Sequence, residues 1–276
     1  MNPEIITDQP ADLYFQSEGV SKHDLDLVNM SPAHYKASKL TPRDEATPAM
    51  KIGTLVHTAI LEPHNFEGSY TLSPEIDRRT KEGKAAWETA EKDAKDKGSI
   101  LVKASDLDMV KAMAESVKQH RSAAEALASG GLVEASLYAT HPEYRVKMRG
   151  RPDLISRGNA IIDVKTCARG GGSKAEFARS VANWRYDVQA AYYLDLAKLC
   201  GMEKEAFVFI VVEKEAPYAV AVYQLDSESI EAGRAQYNRN LGMIAECQNF
   251  DEWPAYSSSV EVISLPKWKL NQLQEA

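Results

Sequence analysis

Residues 145–166 read RVKMRGRPDLISRGNAIIDVKT. Arg157-Gly158-Asn159 is a turn signal between two runs of strand-forming residues. A hairpin centred on Gly158 places Asp153 opposite Asp163 and Arg151 opposite Lys165. Strand alternation then puts Arg151, Asp153, Asp163 and Lys165 on one face and Pro152, Leu154, Ile162 and Val164 on the other. The second face is a core face. On the first, two carboxylates stand about 5 Å apart at Cβ, an arrangement that repels and weakens the sheet. Two readings are open. In one, the hairpin is a surface element with local charge pairs Asp153–Arg151 and Asp163–Lys165. In the other, a divalent cation between the carboxylates removes the repulsion, and oxygen-only ligation suits Mg²⁺, with Mn²⁺ as a substitute. Lys165 would then stand beside the metal, where it can act on an attacking water or hold a phosphate.

The charge of the chain is distributed unevenly around this hairpin. The net charge is −7 over 276 residues, yet residues 141–185 carry ten basic and four acidic side chains. A basic segment inside an acidic chain is a localised patch, and patches set phosphate binding. Arg145, Lys147, Arg149 and Arg151 alternate toward the carboxylate face, and Arg169, Lys174 and Arg185 follow. These are the candidate DNA-backbone contacts; a solvated strand with its charges paired elsewhere is the alternative. The segment Gly170–Gly172 reads as a flexible loop.

Outside the patch the sequence reads as helices first and a sheet later. Residues 1–20 read as extended or loosely ordered. Ser21 and Ser31 cap short helices ending near Asn29 and Ser38, and Thr41–Pro48 is a loop. Helical periodicity covers Ala49–Leu61, 80–97 and Ser105–Ala128. Strands are expected at Val133–Ala139, Arg145–Ser156, Ala160–Thr166, Phe207–Val212 and Ala219–Leu225. Helices are expected at Lys174–Val181, Asp187–Leu199 and Ser227–Cys247, and the tail reads as irregular. This is an α+β, or mixed α/β, pattern: a central mixed sheet flanked by helices behind a helical N-terminal region. It divides one domain over 1–276 into helices to residue 130, a sheet core over 131–226, and a C-terminal helix and tail. Three scattered cysteines exclude a CxxC-type metal site and a disulfide framework. No run of about 18 apolar residues is present and no signal segment opens the chain, so a cytoplasmic protein with no membrane span is expected.

Three more segments bear on the hairpin. In GTLVH, Gly53 and His57 share a helix face; Gly53 would allow close packing against the sheet and aim His57 at the carboxylates. By itself, on an apolar helix, His57 reads first as a core histidine; the neighbouring motifs reverse that order. In QAAYY, Gln189 and Tyr193 share a face and either hold Lys165, bind a DNA backbone, or form an ordinary polar helix edge. Glu134 precedes the hairpin on a strand, as a further acidic ligand or a strand-face polar residue.

Pro152-Asp153 followed by Asp163-Val164-Lys165 resembles the PD-(D/E)xK nuclease signature. With His57, Glu134 and Gln189…Tyr193 in that order, it resembles the RecB-like branch. The segments SEGVSKHDLDLVNMSPAHYKA and GTLVHTAILEP look most like the RecE (exonuclease VIII) family of phage recombination exonucleases. The resemblance implies a PD-(D/E)xK core. It implies metal ligation by Asp153 and Asp163 with His57 and Glu134, and catalytic roles for Lys165, Gln189 and Tyr193. It implies Mg²⁺-dependent 5′→3′ degradation of linear double-stranded DNA to leave a 3′ strand, a single-strand annealing partner of the RecT kind, and a homotetrameric ring. The rival functions are a structure-specific or restriction-type endonuclease on the same core and a non-catalytic DNA-binding module. A CRISPR-associated iron–sulfur exonuclease is disfavoured for want of four suitably placed cysteines.

Overall fold

The parallel pairing of two long apolar strands organises the protein. In the computed structural model, which describes residues 2–42 and 44–274, ten strands form among the described residues: β1 (Glu4–Ile6), β2 (Tyr70–Leu72), β3 (Ile100–Val102), β4 (Gly131–Val133), β5 (Ser136–Thr140), β6 (Lys147–Gly150), β7 (Leu154–Ser156), β8 (Ala160–Cys167), β9 (Ala206–Glu213) and β10 (Val220–Gln224). The helices are α1 (Ala11–Gln16), α2 (Lys22–Met30), α3 (Pro32–Leu40), α4 (Pro48–Leu61), α5 (Lys81–Lys97), α6 (Ala104–Gln119), α7 (Arg121–Ala128), α8 (Lys174–Asn183), α9 (Tyr186–Leu199), α10 (Ser227–Phe250) and α11 (Lys267–Gln274).

The central sheet has the order β10-β9-β8-β7-β4; β8 and β9 are parallel and the other pairs antiparallel. A sheet buried on both faces requires continuous apolar runs, which Ile161-Ile162 and Phe207–Val212 supply. Ile155, Ile161, Phe207, Phe209 and Val211 join one core with residues of α2, α9 and α10. Leu154, Ile162, Val164, Ile210 and Val212 join a second core with residues of α4, α6 and α7. Each such side chain, fully buried, contributes roughly 1.5–3 kcal/mol. Asp163 and Lys165 lie on the first face, beneath α9, within this apolar setting. The carboxylate face is therefore covered by a helix rather than open to solvent.

Two expected strands are each broken in two. Val133–Ala139 divides into β4 and β5 at Glu134, whose φ of 42° lies in the left-handed region. Arg145–Ser156 divides into β6 and β7 at Arg151-Pro152-Asp153. Pro152 has no N–H to donate to a ladder, which favours the break. Both breaks fall at the same level, so β5 and β6 leave the central sheet together and pair with β1 in a three-stranded sheet. The N-terminal segment is thus ordered: β1 pairs with β5, and Tyr14 of α1 is buried. Likewise the expected 105–128 helix is two helices, because His120 caps α7 by accepting the Ala123 N–H at its Nδ1. The tail carries α11 where an irregular segment is expected, and β2 and β3 form a small parallel sheet beyond the expected strands. The Gly170–Gly172 segment is tied down through the Gly170 N–H, which donates to the buried Glu213 carboxylate at 2.8 Å. No helix among the described residues is long and apolar enough to cross a membrane.

Candidate active site

The hairpin register is the one expected: Leu154 pairs with Ile162 and Ile155 with Ile161. Beyond Leu154 the ladder opens, since Pro152 would be the next partner of Val164. The Asp153 side chain fills the gap. Its Oδ2 accepts the Val164 N–H at 2.7 Å, and the Asp153 carbonyl accepts the Glu134 N–H at 2.9 Å. Asp153 is thereby held at the open end of β7, within reach of α4 on the other side of the sheet: His57 Nδ1 lies 3.5 Å from Asp153 Oδ2.

Asp163 is 1% exposed and is gripped from α9. Gln189 Nε2 donates to Asp163 Oδ1 at 2.6 Å, and Gln189 Oε1 accepts from Lys165 Nζ at 3.1 Å. Lys165 Nζ lies 2.6 Å from Asp163 Oδ2 and 4.5 Å from the centroid of the Tyr186 ring. Gln189 therefore bridges the acid and the base of the DxK segment and fixes both orientations. Tyr193, four residues on, is hydrogen-bonded to the backbone of Arg151, and burial first, with neighbouring Tyr14, Asp163 and Asp153, lifts its hydroxyl well above the usual range. Gly150 makes room for this helix: a Cβ there would lie 2.7 Å from Leu196 Cδ2 and 3.0 Å from Tyr193 Cε1.

The electrostatics follow from burial. The Asp153 carboxyl is pushed up to about 6, by desolvation and then by the charge of Asp163, with His57, Lys165 and the Val164 N–H opposing. Burial pulls the Lys165 ammonium down, but Asp163, Asp153 and Tyr186 outweigh it, and its pKa stands above that of an ordinary lysine. Lys165 is thus a cation at neutral pH, and Asp153 is a carboxylate poised to gain from a nearby positive charge.

The donor set suits a hard divalent cation in part. Asp163 Oδ2 is buried and meets Lys165 only as an ion pair, with no hydrogen bond of proper geometry. Asp153, whose carboxylate is disfavoured by burial and by Asp163, is a natural oxygen ligand, and Asp163 stands beside it. Among the described residues, however, no group of three or more His, Cys, Asp and Glu converges closely enough to hold an ion. His57 reaches Asp153, and Glu134 contributes through its backbone, its carbonyl accepting from Arg151 Nε at 2.7 Å. A four-residue shell is not assembled. Mg²⁺ commonly takes one or two carboxylates and completes its octahedron with waters and substrate phosphates.

The basic stripe is not continuous. Arg145 stands exposed in the turn before β6, with φ 58°. Lys147 is exposed and paired with Glu18. Arg149 is buried: its Nη1 donates to the carbonyls of Tyr14, Phe15 and Ser17 at 2.6, 3.1 and 2.8 Å. Arg151 leaves the sheet with the chain and donates to the carbonyls of Glu134 and Gln9, so it does not face Lys165. Both guanidinium groups lie over the Tyr14 ring, at 5.2 and 5.3 Å. Arg149 and Arg151 therefore anchor the N-terminal segment rather than line a phosphate track. Arg169 is exposed against Glu215 and the Ala216 carbonyl, Lys174 is exposed at the start of α8, and Arg185 pairs with Asp26 at 3.0 Å. Gly53 packs on nothing: a Cβ there would find no atom within 4 Å. Tyr186 joins the site beyond the expected residues; its position three residues before Gln189, a spacing that shares a helix face, is the signal for it.

A mixed sheet between helices, with an Asp–Asp–Lys cluster at the open end of a hairpin, defines a nuclease-like fold of the PD-(D/E)xK kind. The chain belongs to the family described as PDDEXK-like domain of unknown function (DUF3799), whose profile matches residues 21–266. Among solved structures it is similar to a putative exonuclease from Eubacterium rectale. The TM-score is 0.63 at 13% identity, covering 96% of this chain and 98% of that one. A phage-related exonuclease from Haemophilus somnus 129PT also matches, at 13% identity over 85% of this chain and 98% of that one. Its TM-score of 0.33 leaves the fold argument to the first. No curated protein matches the sequence.

Proposed function

We propose that the protein is a Mg²⁺-dependent deoxyribonuclease that degrades linear double-stranded DNA from its ends, 5′ to 3′, leaving a 3′ single strand. The observation that carries this reading is the pair of half-buried Asp153 and buried Asp163 at the open end of β7–β8, with Lys165 and Gln189 locked against Asp163. Asp153 and Asp163 are the residues that would hold the metal, for which Mn²⁺ is the expected substitute. When bound, the ion neutralises charge on the phosphoryl oxygens and acidifies a water.

The chain's own groups have separate tasks. Lys165, held between Asp163 and Gln189, is the cation placed to oppose the charge that develops on the phosphate in the transition state. Gln189 contacts both Lys165 and Asp163 and so fixes the orientation of the ion pair they form. His57 stands against Asp153 and restrains its carboxylate. Tyr193 holds the Arg151 backbone and, with it, the kink that presents Asp153. Arg145, Lys147, Arg169 and Lys174 are the exposed cations for the DNA backbone.

End dependence, polarity, a ring tetramer around the duplex and a RecT-like annealing partner follow from the resemblance to the RecE family; a cytoplasmic site of action is proposed from the sequence pattern alone. The test is a nuclease assay in Mg²⁺ on linear duplex labelled at its 5′ or 3′ end, beside closed circular duplex. Early release of the 5′ label with the circle intact is the expected result. Cutting of the circle would make the protein an endonuclease, and no cutting of any substrate would refute the enzyme.

A further inference from the structure

Three groups hold the ammonium of Lys165 among the described residues. Asp163 Oδ2 lies 2.6 Å from Nζ, and Gln189 Oε1 accepts from it at 3.1 Å. The third is the face of the Tyr186 ring, whose centroid lies 4.5 Å from Nζ. The first two are an acid and an amide; the third is a neutral π-face. A lysine that loses water on burial needs electrostatic compensation. A further carboxylate against Nζ would cancel the charge that a phosphate is to meet. An aromatic face attracts the ammonium through its quadrupole and adds no net charge.

The ring is fixed from two directions. Tyr186 opens α9, and Arg185 just before it is left-handed, at φ 53°. Arg185 Nη1 donates to Asp26 at 3.0 Å and to the Leu25 carbonyl at 3.1 Å, which ties the start of α9 to α2. Tyr186 and Gln189 stand three residues apart, so one helix face delivers both the ring and the amide to Lys165. The rings of Phe177 and Phe209 lie 6.2 and 5.8 Å from that of Tyr186, and Phe177 stacks on Tyr223 at 5.4 Å. Thus α8, β9 and β10 each contribute an aromatic side chain to the cluster that packs around Tyr186. All these contacts use the ring. The Tyr186 hydroxyl makes no hydrogen bond among the described residues.

We propose that Tyr186 is a positioning residue of the nuclease site: its ring face fixes one side of the Lys165 ammonium and so sets where that charge meets the scissile phosphate. The proposal rests on the nuclease reading above and adds a residue to the same site. Tyr186 acts through Lys165, and the ring alone performs the task. Phenylalanine should therefore replace it, and an aliphatic side chain of similar size should not.

The test has two arms, each on wild type, Tyr186→Phe and Tyr186→Leu. In Mg²⁺, initial rates are measured on labelled linear duplex over a range of concentrations. Tyr186→Leu should lower kcat about 10–100-fold at nearly unchanged KM, as loss of an orienting partner does. Tyr186→Phe should stay within about threefold of wild type, because its ring keeps the π-face. In EDTA, urea unfolding is followed for the same proteins and again in a Lys165→Gln background, which removes the charge and keeps a donor for Asp163. Tyr186→Leu should lower the urea midpoint more when Lys165 is present than when it is Gln, since the lost packing is common to both backgrounds and the lost cation contact is not. A Leu variant that raises KM at wild-type kcat, a Phe variant as slow as the Leu variant, or equal midpoint losses in the two backgrounds overturns the proposal. If wild type cuts DNA and one of these results is found, the proposal falls and the nuclease reading stands. If wild type cuts no DNA, the nuclease reading falls and takes the positioning role with it, while the urea arm still decides whether ring and ammonium are coupled.

Discussion

Replacing Asp153 by Asn separates the electrostatics of the site from its shape. Without metal, the Asp153 carboxyl is pushed up to about 6 from its ordinary 3.8, by burial and then by Asp163. A group with a raised folded pKa gives its full stabilisation below the unfolded pKa and loses it as pH rises through the folded one. The protein therefore loses stability from this group between about pH 4 and pH 6, where the buried carboxyl must ionise, and the loss stays constant above that. A gap of about two units corresponds to about 3 kcal/mol. Asn carries no charge, and its carbonyl oxygen accepts the Val164 N–H as the carboxylate does. Asp153→Asn should thus be more stable than wild type in EDTA at pH 8 by up to about 3 kcal/mol. At about 2 °C per kcal/mol for a chain of this size, that is about 6 °C in Tm. At pH 4 the two proteins should melt together. Millimolar Mg²⁺ at pH 8 should raise the wild-type Tm and close the gap, since it binds the folded wild type. The assay is calorimetric melting across pH 4–8 with EDTA or Mg²⁺. A variant less stable than wild type at pH 8, or an equal difference at both ends of the pH range, would refute the reasoning.

Three further substitutions probe the neighbouring groups. Asp163→Ala should abolish cleavage while leaving DNA binding intact or tighter, and should cost about 3–5 kcal/mol in urea unfolding because Lys165 is left buried without its partner; cleavage at the wild-type rate would remove Asp163 from the site. Gln189→Ala should lower kcat by about 10–100-fold with little change in KM, as loss of an orienting partner does, measured by steady-state release of labelled nucleotide. Arg149→Met should destabilise the fold by about 3 kcal/mol, because three carbonyls lose a charged donor. Limited proteolysis should then cut within residues 1–17 first, with specific activity per folded molecule retained.

Much of the site was legible because its information is local. The Gly158 turn and period-2 alternation set the hairpin register, and that register brings Asp153 and Asp163 to adjacent positions. The helical spacing of Gln189 and Tyr193 put both on one face of α9. The basic side chains resisted such reading. An arginine reaches six or seven ångströms from its Cα, and which carbonyls it meets depends on segments far away in sequence. Arg149 and Arg151 looked like a phosphate track and instead hold residues 9–17.

The sequence by itself determined the pairing of β7 with β8, the apolar runs that bury the sheet on both faces, and the acid–acid–lysine cluster at the hairpin's open end. These depend on turn chemistry and alternation over a dozen residues. Only the tertiary structure decided that β5 and β6 swing out of the central sheet, that α9 lays Gln189 between Asp163 and Lys165, and that Tyr186 roofs the lysine. Those outcomes follow from packing between segments separated by tens to more than a hundred residues, where burial and hydrogen-bond satisfaction over the whole molecule override any local preference.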